Sequence, residues 1–291
     1  MKFSNKKIKL EEILNIHSGV PAVICGHGPS LNNHKDKILE LQKKQEIIRF
    51  SVNNWYDYFT DAPSYWVLSN PEFSIPKMYS VMNKFMVPIL YSLDGDFTPY
   101  DKIEDILKCN YLPYDQRHFK NHDCIQILQS FKGHHEKNKN FDFTEYGNNS
   151  IMWHPPRIGG REGWAGFDLY GRCCKHKRCS TTIQEKLQEL SGCDKHYSTG
   201  DTVALHALSF ALLMGCDPIY VSGMDLDYSR GYADETKPVP MGHYTMWQDN
   251  SENLLNDMEI INTSANLLGT RIINLYKNSW YDKFTIGDLE L

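Results

Sequence analysis

Gly26-His27-Gly28-Pro29-Ser30-Leu31 follows the apolar run Pro21 to Cys25 and opens a helical pattern from Leu31 to Lys44. Glycines let a backbone turn sharply and approach a ligand, and a helix start offers unpaired N–H groups to an anion. Pro29 pre-sets the first helical turn, and Ser30 suits its cap. The spacing is neither a dinucleotide GxGxxG nor a phosphate-cradling loop ending in GK[ST]. An ordinary strand-to-helix turn explains it equally well. Ser198-Thr199-Gly200 precedes the apolar helical stretch Thr202 to Leu213 and reads as a second anion-binding helix start, or as a plain cap by Thr199 or Asp201. Tyr220-Val221-Ser222-Gly223-Met224-Asp225 is a strand running into an acidic loop that carries Asp227, Tyr228 and Tyr232. Asp225-Leu226-Asp227 has the form of a cation-holding carboxylate pair, although aspartates are also frequent in turns. His243, flanked by Gly242 and outside any apolar face, suits general-base work better than a core histidine.

These residues need a scaffold. Short apolar runs at Pro21 to Cys25, Ile47 to Val52, Tyr65 to Leu68, Met86 to Tyr91, Pro218 to Gly223 and Arg271 to Leu275 read as strands. Helical patterns at Lys7 to Ile16, Leu31 to Lys44, Thr202 to Leu213 and Ser251 to Leu268 lie among them. Alternation of this kind predicts an α/β fold with a Rossmann-type, mostly parallel sheet. The loops after the second and third strands carry Asn53 and Asn70, whose amides suit a sugar hydroxyl or a base edge. In such a sheet these strand ends share one crevice with the glycine loop. Asparagine also caps turns, and that reading stays open at both positions. The pattern weakens between residues 100 and 195. We therefore divide the chain into 1–99, the first half of a nucleotide-binding unit, an inserted lid or acceptor region at 100–195, and the second half at 196–291.

Composition narrows the partners. The chain has 291 residues, 31 Lys and Arg against 36 Asp and Glu, and 41% hydrophobic residues. That apolar content is too high for disorder, and the net charge of −5 argues against nucleic acid as a partner. No run reaches the ~20 apolar residues of a membrane helix, and no signal-type apolar segment follows the basic start. We expect a cytoplasmic protein whose 8 cysteines are free thiols or metal ligands. Cys173, Cys174, His176 and Cys179 could hold zinc, but adjacent cysteines fit one ion poorly and a basic loop with free thiols is the simpler reading. Peripheral membrane contact and self-association both stay compatible with the sequence.

The ordered set of motifs resembles the bacterial CMP-sialic acid-dependent sialyltransferases of glycosyltransferase family forty-two. The resemblance covers roughly Pro21 to Pro71 and His196 to Leu275. Gly26 to Leu31 is similar to that family's GNGPSL loop, with His27 in place of asparagine, and Tyr220 to Asp225 is similar to its YLSGID strand. The resemblance implies a GT-A-like sheet and transfer of a nonulosonic acid from a CMP-sugar to a glycan hydroxyl, with inversion. It implies donor contacts at Gly26, His27, Gly28, Pro29, Ser30, Asn53, Asn70, Ser198, Thr199, Gly200, Ser222, Gly223 and Asp225. Tyr228 and Tyr232 would bond the leaving phosphate, and His243 would be the base. No metal is required by that chemistry. The family's arginine before its Thr-Ser-Gly turn is His196 here, and the middle region does not match. A wider set of relatives includes motility accessory factors and 6-hydroxymethylpterin diphosphokinases. The latter are ATP- and Mg2+-dependent transferases that need neither tyrosine pair nor histidine base, and they form the second reading.

Overall fold

A computed structural model of the chain describes residues 8–68, 75–91, 111–113, 126–127, 151–152, 182–193, 202–237 and 241–291. Ten strands are described: β1 (Ala22–Cys25), β2 (Ile48–Val52), β3 (Tyr65–Leu68), β4 (Ile89–Tyr91), β5 (Tyr111–Pro113), β6 (Gln126–Ile127), β7 (Ile151–Met152), β8 (Ile219–Ser222), β9 (Ile272–Asn274) and β10 (Thr285–Ile286). Five helices accompany them: α1 (Lys35–Lys43), α2 (Ile75–Phe85), α3 (Thr182–Ser191), α4 (Val203–Leu213) and α5 (Met241–Leu267).

Eight of these strands form one sheet in the order β10-β9-β8-β1-β2-β3-β4-β5, and every pairing in it is parallel. Continuous burial along β1 and β8 explains their unbroken apolar sequences, because a parallel strand covered on both faces has no solvent side. Alternate residues feed two cores. Ala22 and Ile24 face a layer made with α3, α4 and α5, whereas Val23 and Cys25 face a layer made with α1 and α2. Helix α4 is apolar all round and buried along its length, as expected of a helix enclosed by its neighbours. Its N-cap is Thr202, whose hydroxyl accepts the Ala204 N–H at 3.4 Å, rather than either of the expected caps. Helix α3, from the end of the 100–195 stretch, inserts Ile183 and Leu187 into the same core.

Strands β1, β2, β3 and β8 fall within a residue or so of their expected positions. Three helical segments differ. The pattern at Lys7 to Ile16 yields only a 3-10 turn, Leu10–Ile13. The pattern from Leu31 divides into a 3-10 turn, Pro29–Asn33, followed by α1. Helix α5 begins at Met241, ten residues before the expected start, so His243 lies in its first turn and not in a loop. Gly242, His243 and Thr245 give its first turns the look of a loop, although Met241, Tyr244 and Trp247 recur at three-residue spacing; Pro238 and Pro240 immediately upstream mark the boundary.

Among the described residues no helix is long and apolar enough to cross a membrane. Cys25, Cys193 and Cys216 are buried free thiols. Burial pushes Cys25 up to about 12, against the opposing pull of the Arg49 guanidinium, and pushes Cys216 up to about 12 as well. A thiolate is the reactive species, so both should resist iodoacetamide in the native protein at pH 8 and react after denaturation. Peptide mass spectrometry checks this; native labelling at the rate of an exposed cysteine would contradict the packing.

Candidate functional site at the strand switch point

Chain order runs outward from β1 through β5 on one side of the sheet and from β8 through β10 on the other. The carboxyl ends of β1 and β8 therefore flank the switch point, where an open α/β sheet leaves a crevice for ligands. In-register pairing of Cys25 with Ser222 sets the two following loops side by side.

Those loops are bound to each other through their backbones. Gly26 N–H donates to Ser222 O at 2.8 Å, and Gly28 N–H donates to Gly223 O at 2.7 Å. A Cβ on Gly26 would lie 2.3 Å from Gly223 O, and one on Gly28 would lie 2.7 Å from the Asp225 carboxyl carbon. Gly223 is also left-handed, at φ +72°. Loop-to-loop packing thus accounts for these glycines without any ligand.

Asp225 completes the junction. It is 1% exposed, and its carboxylate accepts the Ser30 N–H at 2.9 Å and the Ser30 hydroxyl. Ser30 Oγ in turn accepts the Gly223 N–H at 3.1 Å. The first turn after β1 is therefore occupied by the protein's own anion. Burial raises the Asp225 carboxyl above its ordinary range, while the Ser30 bonds and Arg230 pull the other way. With the folded value above the unfolded one, this group favours the fold most at low pH, and the contribution fades as pH rises through the folded value. Tyr281 OH donates to Met224 O at 2.7 Å and fixes the same loop from behind.

The carboxylates of Asp225 and Asp227 are both engaged by neighbouring serines. Both Asp225 oxygens accept from Ser30, and Asp227 Oδ1 accepts the N–H and O–H of Ser229. Among the described residues no cluster of three or more His, Cys, Asp or Glu could hold a metal. Cys173, Cys174, His176 and Cys179 lie outside the described residues.

His27 turns its ring onto the end of β2. Its Nε2 lies 3.0 Å from Val52 O, and because a carbonyl only accepts, that nitrogen carries a hydrogen. The ring stacks on Tyr58 at 4.3 Å and 23°. Asn53, one residue past β2, is left-handed at φ 38°; its N–H donates to Val67 O, and its carbonyl accepts Trp66 Nε1 at 2.6 Å.

Beyond Asp225 the chain returns across the strand ends as a strap. The 3-10 turn Tyr228–Arg230 packs against α5, the helix that carries His243. Ala233, next to half-buried Tyr232, donates its N–H to His27 O at 2.8 Å, and its carbonyl accepts Asn32 Nδ2 at 2.8 Å. Lys237 then ion-pairs with Asp57, which also binds Lys77 and accepts Asn54 Nδ2 at 2.7 Å. Burial pushes the Asp57 carboxyl up, but the two lysines and Asn54 outweigh it and hold the carboxyl below its ordinary range.

The structure thus gathers Gly26, His27, Gly28, Pro29, Ser30, Ser222, Gly223 and Asp225 at one junction, with Asn53 at the adjoining strand end and Tyr232 on the strap. Asn70, Ser198, Thr199 and Gly200 lie outside the described residues, as do the side chains of Tyr228 and His243. Asp57, Tyr58, Arg230, Lys237 and Tyr281 belong to the same region without having stood out in the sequence. Only the Asn54–Asp57 spacing, typical of a local turn bond, offered a signal.

A doubly wound α/β protein with two interlocked loops at its switch point is the class this architecture defines. No family model and no curated protein matches the chain. Among solved structures it is similar to the sialyltransferase CstII from Campylobacter jejuni in complex with the substrate analogue CMP-3FNeuAc, at 14% identity and TM-score 0.42, over 91% of this chain and 85% of that one. It is also similar to an alpha-2,3-sialyltransferase from Campylobacter jejuni in apo form, at 13% identity and TM-score 0.39, over 98% of this chain and 87% of that one.

Ser30→Ala should lower stability by about 1–3 kcal/mol, because Asp225 stays buried with one donor removed; urea unfolding measures it, and an unchanged midpoint would contradict the junction. For Asp57, whose folded carboxyl is depressed, the contribution is present above the unfolded value and lost as pH falls through the folded one. The stability gap between wild type and Asp57→Asn should therefore be open at pH 7 and shrink towards pH 3. A gap that widens on acidification would reverse the assignment.

Proposed function

We propose that the chain is a glycosyltransferase that moves sialic acid, or a related nonulosonic acid, from its CMP conjugate to a glycan hydroxyl with inversion. The observation that carries this reading is the meeting of the two motifs on which the family resemblance rests. The Gly26 to Leu31 loop and the Tyr220 to Asp225 strand, nearly two hundred residues apart in sequence, interlock at the switch point through Ser30 and Asp225.

The chemistry follows from the residues assigned. An acceptor hydroxyl attacks the anomeric carbon as the bond to the CMP phosphate breaks, and the departing phosphate keeps the electron pair. His243 takes the hydroxyl proton, a role that imidazole chemistry suits near neutral pH. Hydroxyls of Tyr228 and Tyr232 donate to the phosphate oxygens, where negative charge grows, and so stabilise the transition state more than the ground state. Asn53, Asn70 and the Ser198-Thr199-Gly200 turn serve the nucleoside and the donor's anionic groups. This route needs no metal, and a cytoplasmic setting with a soluble CMP-sugar suits it. The diphosphokinase reading gains no support, since Asp225 and Asp227 are engaged with Ser30 and Ser229.

Thermal shift tests the donor class: CMP should raise the melting temperature, while ATP with Mg2+, with or without a pterin, should not. The opposite pattern would replace transfer with diphosphoryl chemistry. With CMP-sialic acid and a galactoside acceptor, His243→Ala should lower turnover about a hundredfold or more. Unchanged turnover would remove His243 as the base.

A further inference from the structure

Arg230 stands on the strap beside the Asp225 junction, and its surroundings differ from those of a simple counter-ion. Its Nη1 lies 3.7 Å from Asp225, beyond hydrogen-bond distance, and the oxygens of Asp225 already accept from Ser30. Nη1 donates instead to the hydroxyl of Tyr276, and the guanidinium lies 5.0 Å from the centroid of that ring. Tyr276 is 8% exposed and anchored, with its N–H on Asn274 Oδ1 at 3.1 Å. The arginine is thus held by a buried aromatic residue while its side chain stays 42% exposed.

Holding so flexible a side chain costs rotamer freedom, and a contact with Asp225 beyond hydrogen-bond distance returns little of it. Among the described residues no acceptor takes Nε or Nη2, which is the edge of the fork suited to a two-oxygen anion. A protein of net charge −5 that binds an anionic sugar nucleotide needs a local cation where the ligand enters.

We propose that Arg230 binds an oxyanion of the donor, through Nε and Nη2, at the open edge of the β1–β8 crevice. This rests on the CMP-sugar reading above. The donor presents two such groups, the phosphate and the sugar carboxylate, and the test separates them. Tyr276 acts as the positioning residue that presents the guanidinium.

Calorimetric affinities for cytidine, CMP and a non-transferable CMP-sialic acid analogue are measured for wild type, Arg230→Gln and Arg230→Lys. If Arg230 holds the phosphate, Arg230→Gln reduces the preference for CMP over cytidine by about ten- to a hundredfold and leaves cytidine affinity unchanged. If it holds the carboxylate, the preference for the analogue over CMP falls by that amount instead. Arg230→Lys restores only part of either loss, because an ammonium cannot form the paired contact. Both preferences unchanged in Arg230→Gln would overturn the proposal. So would an equal loss for all three ligands together with a lower melting temperature, which would mark Arg230 as a structural counter-ion. Wild type that binds none of the three would overturn the cytidylate reading itself, and this proposal with it.

Discussion

One buried carboxylate organises the carboxyl edge of the sheet. Asp225 has left water almost completely, a move that is unfavourable for a charge unless hydrogen bonds replace the lost solvation. Ser30 supplies both its N–H and its hydroxyl, and the same hydroxyl oxygen accepts from Gly223. Removing any member strands another, so the loop after β1 and the loop after β8 form or fail together. Glycine at 26, 28 and 223 is the steric condition for that contact. The junction fixes where the strap leaves the sheet, and with it the positions of Tyr228, Arg230 and Tyr232.

The strap is then fastened at its far end by different chemistry. A main-chain bond joins Ala233 to His27, Asn32 holds the Ala233 carbonyl, and Lys237 reaches Asp57 beside the Tyr58 ring. One end depends on a carboxylate raised by burial, and the other on a carboxylate lowered by lysines. Acidification therefore acts on the two ends in opposite senses, relieving the cost of a buried charge at Asp225 and loosening the Asp57 attachment.

Much of the scaffold was legible because burial writes itself into short apolar runs. Ala22 to Cys25 and Ile219 to Ser222 could be little else but covered strands. Their adjacency was not legible, since it depends on where the chain crosses back and not on any local pattern. For the same reason Ser30 offered only a helix cap and Gly26 either a ligand-facing or an ordinary turn, and nothing local pointed to their hydrogen-bond partners nearly two hundred residues away. The start of α5 escaped because glycine, histidine and threonine interrupt Met241 to Asn250 and the segment reads as a loop, although Met241, Tyr244 and Trp247 recur at three-residue spacing behind a proline-marked boundary. Asp57 and Arg230 were invisible for a simpler reason: single charged residues in loops acquire meaning only from the residues that tertiary structure sets beside them.

The central claim is a cytidylate pocket at the β1–β8 switch point, and a crystal structure of the chain with CMP tests it most directly. The account predicts nucleotide density in that crevice, within hydrogen-bond reach of the Gly26 to Ser30 loop and beneath the strap from Asp225 to Lys237. Nucleotide bound elsewhere on the sheet, or a crevice left empty at saturating CMP, would contradict it.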